Sequence, residues 1–404
     1  MKYDFTSILE RTGKDAFALD GIGKYPGFAP EPPEKGFDVI PMWVADMNFA
    51  TVPTVISKIS ERLKEPHFGY FMKREEYTQA IIDWHKLRHG VTDITKECIG
   101  YQNGVLGGVT SALNVFCSKG DKVLIHSPTY IGFTHILEDN GYHAILSELK
   151  KDEKGIYRMD FEDMEKKIKE HKIHATIFCS PHNPCGRVWE KDEILKAMEL
   201  FEKYNVYIAA DEIWSDLILY NNKHTPTQSV NEYAKNHTVA LYAPSKTFNL
   251  SGLIGSYHII YDKFLRDRVE KESSLCHYND MNMLSMYALI GAFTKEGNEW
   301  VTELNKVLTE NTEYAVKYIK EHFKGVDCTH PEGTYMLFID CTEWCKEHNK
   351  TIEEVEKAAW KVGVAIQDGK MFHGPCHLRA NLALPLSRIK EAFDRLDKYV
   401  FNAK

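Results

Sequence analysis

At 404 residues and 43% hydrophobic content, the chain is long enough to bury a large core and to form two domains or more. Its 58 acidic and 50 basic residues give a net charge of -8, which excludes the basic footprint of a nucleic-acid binder and any pull toward an anionic membrane surface. The start, Met1-Lys2-Tyr3-Asp4-Phe5-Thr6, lacks the apolar core of a signal peptide, and no apolar run is long enough to cross a bilayer. The 9 cysteines are odd in number and scattered, and Cys341/Cys345 has no second pair to complete a zinc site. A cytoplasmic protein with reduced thiols and no metal is therefore expected.

Taken in chain order, the first 40 residues are rich in Gly and Pro, as in Tyr25-Pro26-Gly27 and Glu31-Pro32-Pro33, and read as an irregular arm. Regular patterning begins near Pro53. Short apolar, β-branched runs at 122–126, 175–179, 206–210, 238–242 and 257–260 suit buried strands. Stretches between them, such as 160–171 and 191–204, carry apolar residues at helical spacing. This alternation predicts an α/β fold whose sheet is mainly parallel, with helices on both faces. After Leu284 the order changes: a long helical stretch through Phe323, broken near Gly297, then a strand at 334–339, a helix from Thr351, a strand at 378–382 and a helix from Ser387. That pattern predicts a smaller α+β domain. The expected division is 1–50 as an arm shared with the small domain, 51–284 as the large domain and 285–404 as the small domain.

Open α/β sheets bind ligands at the carboxyl ends of their strands, so the polar residues after each apolar run matter most. Asn103-Gly104-Val105-Leu106-Gly107-Gly108 opens a helix whose free N–H groups and dipole suit a phosphate. Alone it reads equally as a glycine-bearing turn. Ser127-Pro128-Thr129-Tyr130 places an aromatic where it can stack on a flat ring. Ser180-Pro181-His182-Asn183-Pro184 fixes a tight loop around an amide donor. Asp211 ends a buried strand, where a carboxylate is costly unless paired; a protonated pyridine nitrogen would pair it, and a helix cap is the plain alternative. Ser245-Lys246-Thr247 places an amine at a strand end, where it can form a Schiff base. Taken singly, only the proline-bound loop around Asn183 favours function over a structural turn. Asn183, Asp211 and Lys246, however, follow three successive strands at intervals of 28 and 35 residues, each about one helix plus one strand. All three are thus predicted to project from one edge of one sheet.

In these residues the chain resembles the fold-type-I pyridoxal-phosphate (PLP) enzymes of the aspartate aminotransferase superfamily, class I/II, over nearly its whole length. It is most similar to the MalY/PatB group of cystathionine β-lyase type, through Trp43-Val44-Ala45-Asp46-Met47-Asn48-Phe49, Phe68-Gly69-Tyr70, Ser245-Lys246-Thr247-Phe248-Asn249 and Leu378-Arg379-Ala380-Asn381. The resemblance implies a seven-stranded-type sheet and a catalytic Lys246 that holds PLP. It implies Asp211 on the pyridine nitrogen, Asn183 on the ring 3-oxygen and Tyr130 on the ring face, with Trp214 among the cofactor contacts. Val105, Leu106 and Ser245 would hold the phosphate. Tyr70 would reach the phosphate of a second subunit, which implies a homodimer. Arg379 would grip the substrate carboxylate, with Ala45 and Asn183 also at the substrate. Departures from the wider superfamily are Ala243 for a serine, Ile254 for an arginine on the phosphate, Trp214 for a tyrosine or histidine, and Asn48 for an aspartate. They imply a less cationic phosphate cup and an altered substrate site.

The reaction implied is β-elimination from cystathionine, cysteine or S-substituted cysteines, giving thiol, pyruvate and ammonia. Lys246 would act as general base at Cα. An aminotransferase shares the first proton removal, so the cofactor residues do not separate the two. A regulatory binding protein with a vestigial PLP site is a further alternative. A dinucleotide oxidoreductase is excluded because no strand near the start is followed by Gly-x-Gly-x-x-Gly.

Overall fold

The computed structural model describes residues 1–275 and 279–403; residues 276–278 and Lys404 lie outside the described residues. The large sheet has seven strands: β1 (Ile99–Gln102), β2 (Lys122–Ser127), β3 (His143–Glu148), β4 (Ala175–Cys179), β5 (Tyr207–Asp211), β6 (Thr238–Tyr242) and β7 (Ser256–Ile259). Their spatial order is β1-β7-β6-β5-β4-β2-β3. Only β7 runs antiparallel to its neighbours. The central strands β4 and β6 are buried at every residue, as expected of a sheet covered on both faces.

The covering helices include α1 (Glu75–His89), α2 (Val105–Phe116), α3 (Ile131–Asp139), α4 (Phe161–His171) and α5 (Lys191–Lys203). Helix α5 shows why such segments fold. Glu190 and Glu193 form a reciprocal capping box at its start, and Ile194, Ala197, Met198 and Phe201 recur at helical spacing and are all buried.

Two further helices follow, α6 (Met283–Ala292) and the long α7 (Lys295–His322). The expected break near Gly297 falls instead at Phe293–Thr294. The Thr294 hydroxyl accepts from the Gly297 N–H at 2.9 Å, so Gly297 lies inside the first turn of α7. The smaller sheet is antiparallel, with β8 (Asp327–Cys328), β9 (Met336–Asp340), β10 (Gln367–Asp368) and β11 (His377–Asn381) in the order β8-β9-β11-β10. Helices α8 (Ile352–Lys361, capped by Thr351) and α9 (Leu386–Leu396) pack beside it.

Ile40–Pro41 pairs in parallel with Val364–Ala365, and the Asn381 N–H donates to the Met42 carbonyl at 2.8 Å. The arm is thereby stitched to the smaller sheet. Helix α7 serves both cores: Trp300, Val301, Leu304, Val307 and Leu308 pack with the large one, and Ala315, Val316 and Ile319 with the small one. Among the described residues no helix is long and apolar enough to cross a membrane.

Candidate active site

A cavity of about 240 Å³ opens at the carboxyl ends of the parallel strands. Ala45, Val105, Leu106, Tyr130, Asn183, Asp211, Trp214, Ser245 and Lys246 all line it. Gly104, Cys179, Ile213, Ala243, Ser251, Ile254 and Gly255 complete its wall.

Lys246 stands in a helical turn, Pro244–Thr247, directly after β6; Pro244 opens that turn, where a missing N–H costs nothing. Its Nζ donates to the Ala45 carbonyl at 2.9 Å and lies 5.8 Å from the centre of the Trp214 ring. The Tyr335 hydroxyl donates to the same carbonyl at 2.9 Å, so one oxygen joins the lysine, the arm and the smaller sheet's approach strand. Asn249 secures the arrangement. Its side chain accepts from Met47 N–H at 3.0 Å and donates to the Met47 carbonyl at 2.9 Å, clamping residues 45–47 against the lysine turn.

Asp211 is the last residue of β5, and one carboxylate oxygen accepts from the Ile213 N–H at 3.0 Å. Asn183 is 3% exposed between cis peptides at Ser180–Pro181 and Asn183–Pro184, and its Oδ1 has no protein partner. Gly104 precedes α2 with φ 81° and ψ 151°, a conformation that glycine adopts readily and other residues do not. The first N–H groups of α2, on Val105 and Leu106, have no partner within the helix, and both residues line the cavity.

Arg379, on β11, is buried beside this group rather than on the cavity wall. Its Nη2 donates to the Trp43 carbonyl at 3.0 Å and to Gln367 Oε1 at 2.7 Å, and its Cζ lies 4.2 Å from the Phe372 ring centroid. Its Nε and Nη1 are buried without a partner. Tyr70 is not brought to the cavity by its own chain: it is 111% exposed, in a segment where Phe68 and Met72 are 64% and 88% exposed.

Burial, reinforced by the charge of Arg379, pulls the Lys246 amine down to about 8, against the opposing pull of Asp46 and Asp211. Burial pushes Asp211 up to about 7, although the Ile213 N–H and the Lys246 charge favour its ionised form. Sequence reasoning gives no separate role to Asp46, whose carboxylate is paired with Arg11 from the arm. It also misses Gln367 and Phe372, which come from short segments with no local signal, and Tyr335, which falls in the expected strand at 334–339 but receives no role there. Cys179 ends β4 and Ile213 closely follows β5, so the strand-end rule applied more widely would find both.

These shifts have opposite consequences for stability in two pH windows. Asp211 keeps its proton in the folded chain up to about 7 and loses it near 3.8 when unfolded. The cofactor-free chain therefore loses stability as pH rises from about 4 to 7. Lys246 is charged below about 8 when folded and below 10.5 when unfolded, so stability returns between those values. Asp211→Asn is expected to remove the first slope and raise the melting temperature of the cofactor-free chain above pH 7, as read by calorimetry across pH.

Behind the cavity, the Asp216 carboxylate is 4% exposed and tied to the lysine turn. It accepts from Thr247 Oγ1 at 3.2 Å and Trp84 Nε1 at 3.1 Å, with His89 Nε2 at 3.4 Å and Arg88 Nε at 3.5 Å. Burial opposes its charge, yet hydrogen bonding from His89 and the charges of His89 and Arg88 hold it well below the usual carboxylate range. Asp216→Asn keeps the shape but loses the charge-assisted contacts. A stability loss of about 2 kcal/mol is expected in denaturant titration.

A mostly parallel seven-stranded sheet, an antiparallel satellite sheet and a lysine cavity at the strand ends define the fold-type-I transferase architecture. The chain belongs to the aminotransferase class I and II family, whose model matches residues 38–396. It is 30% identical over 396 residues to the cystathionine β-lyase PatB of Bacillus subtilis (strain 168), covering 97% of this chain and 98% of the other. The crystal structure of a PLP-bound putative aminotransferase from Clostridium difficile 630 superposes with a TM-score of 0.91 at 32% identity, covering 99% of this chain and 100% of that one. A PLP-bound C-S lyase from Staphylococcus hominis gives a TM-score of 0.88 at 28% identity, with 98% of each chain covered.

Proposed function

We propose that the protein is a PLP-dependent carbon–sulfur β-lyase that cleaves cystathionine, cysteine or related S-substituted cysteines to thiol, pyruvate and ammonia. The meeting of the Lys246 amine and the Asp211 carboxylate in one cavity supports PLP dependence, and the 30% identity to the cystathionine β-lyase PatB favours the lyase. The residues fit PLP. Asp211 is a buried carboxylate lacking a cationic partner in contact, which a pyridinium N–H would supply. The free N–H groups at the start of α2 suit its phosphate, and Asn183 and Tyr130 suit its ring oxygen and ring face. Bound PLP supplies an electron sink for the charge that develops at the substrate Cα.

The chain's own groups do the rest. The unpartnered Nε and Nη1 of Arg379 donate to the substrate carboxylate. Lys246, with its amine held near 8, takes the Cα proton when it is free. Trp214 and Ala45 bound the space around it. Departure of the thiolate from Cβ completes the elimination.

The test is incubation with L-cystathionine and no keto acid. Steady pyruvate release supports the lyase; turnover only with added keto acid supports the aminotransferase reading, which the 32% identical putative aminotransferase favours. A regulatory protein with a vestigial site is the lesser reading, and a biological effect kept by a Lys246→Ala variant would favour it.

The working unit is read as a cytoplasmic homodimer. The exposed Phe68, Tyr70 and Met72 support a partner surface, and Tyr70 is assigned to the other subunit's phosphate. Sedimentation should give a dimer, and Tyr70→Phe should weaken PLP retention without changing mass; a monomer with full PLP affinity overturns this. The division at 1–50, 51–284 and 285–404 stands as a proposal, supported by the separate core under the smaller sheet and qualified by α7, which packs into both.

A further inference from the structure

The large sheet has a second group of chemically capable side chains at the end opposite the cavity. Cys117 caps the carboxyl end of α2, Asp121 immediately precedes β2, and His174 immediately precedes β4. One ligand atom from each, sulfur, carboxylate oxygen and ring nitrogen, lies within 4.8 Å of the others. We propose that Cys117, Asp121 and His174 hold a zinc ion whose fourth position is open to solvent.

Three observations carry this. First, the donor set is thiolate, imidazole and carboxylate, which selects zinc over the oxygen-seeking magnesium and calcium. Second, His174 Nε2 and Asp121 Oδ2 are 3.3 Å apart. Zinc bonds of about 2.0–2.2 Å to nitrogen and oxygen in tetrahedral geometry require an edge of about 3.3 Å. That edge already exists, and the Cys117 sulfur lies within 4.8 Å of both its ends. Third, the site stands at the negative end of α2, where the helix dipole favours a cation.

Asp121 is also oriented from outside the site, because its Oδ2 accepts from the Ser118 N–H at 2.8 Å. His174 and Asp121 are 43% and 33% exposed in their side chains, so the metal can enter from solvent. The balance of the step is simple. On zinc binding the Cys117 thiol gives one proton to water, and its sulfur lone pair forms the zinc bond. Nothing is oxidised or reduced.

The test is zinc titration of the purified protein, with metal per chain measured by mass spectrometry after dialysis against buffered zinc. The wild type should retain one equivalent more than a Cys117→Ser/His174→Gln double variant. Cys117→Ser alone should weaken the site by about tenfold or more, since even outer-shell losses cost about 10–100-fold. Equal zinc content and affinity in wild type and double variant overturn the proposal. Cobalt provides an independent reading: a thiolate-to-cobalt charge-transfer band in the difference spectrum, lost with Cys117→Ser. Its absence from cobalt-loaded wild-type protein also overturns the assignment. Both variants lie away from the Lys246 cavity, so unchanged melting temperature and unchanged turnover without zinc certify their fold.

Discussion

Lys246→Ala is expected to lower turnover of S-substituted cysteines by about 10³-fold or more, measured as pyruvate release at saturating substrate. Two losses combine. The covalent anchor for PLP disappears, and so does the group placed to move the Cα proton, which alone contributes about 10²–10⁴-fold. The site's own electrostatics make this base effective. An ordinary lysine would be almost fully charged at neutral pH, whereas burial and the Arg379 charge bring this one to about 8. The variant should keep its fold, because the Nζ–Ala45 contact is one of several holding residues 45–47; Asn249 and Tyr335 remain. Unreduced turnover in Lys246→Ala would remove the catalytic role assigned to Lys246.

The second large effect is at Arg379. Arg379→Ala should lower kcat/KM by about 10²-fold, or roughly 3 kcal/mol, chiefly through KM, since charge-assisted hydrogen bonding to the substrate carboxylate is lost. The guanidinium is preorganised to meet a carboxylate, because Trp43, Gln367 and Phe372 fix it through Nη2 and the ring face and leave the Nε and Nη1 N–H groups unengaged. Arg379→Lys should recover little, because an ammonium cannot hold the Trp43 and Gln367 anchors and also offer separate donors to the substrate. Removing the charge also relieves its pressure on the freed Lys246 amine, so the acid limb of the kcat profile should move to higher pH. A kinetic profile indifferent to Arg379→Ala would assign the arginine to packing alone.

How far the sequence discloses this site follows from where each signal resides. Asn183, Asp211 and Lys246 are legible because each follows an apolar run, and a parallel sheet sends all such runs toward the same edge. Helix α2 is legible from its glycines and apolar stretch. Strands β1 and β3 are not. Both carry partly exposed residues, so their patterns lack the continuous apolar run that marks the strands between them. Gln367 and Tyr335 act on Arg379 and Ala45 across gaps in the chain, and no local pattern announces a tertiary contact. Tyr70 is marked by resemblance alone. Its own chain leaves it bare, so periodicity assigns it no role.

Helix α7 has a mechanical consequence. A single rod of 28 residues is gripped by one body along its first half and by the other along its second. Should the two bodies swing together over a substrate, the rod must flex between Leu308 and Ala315, where the grip changes hands. Glycine placed in that interval would slacken the hinge and blunt the hold of Arg379 on its ligand, although every altered atom lies outside the reaction chamber.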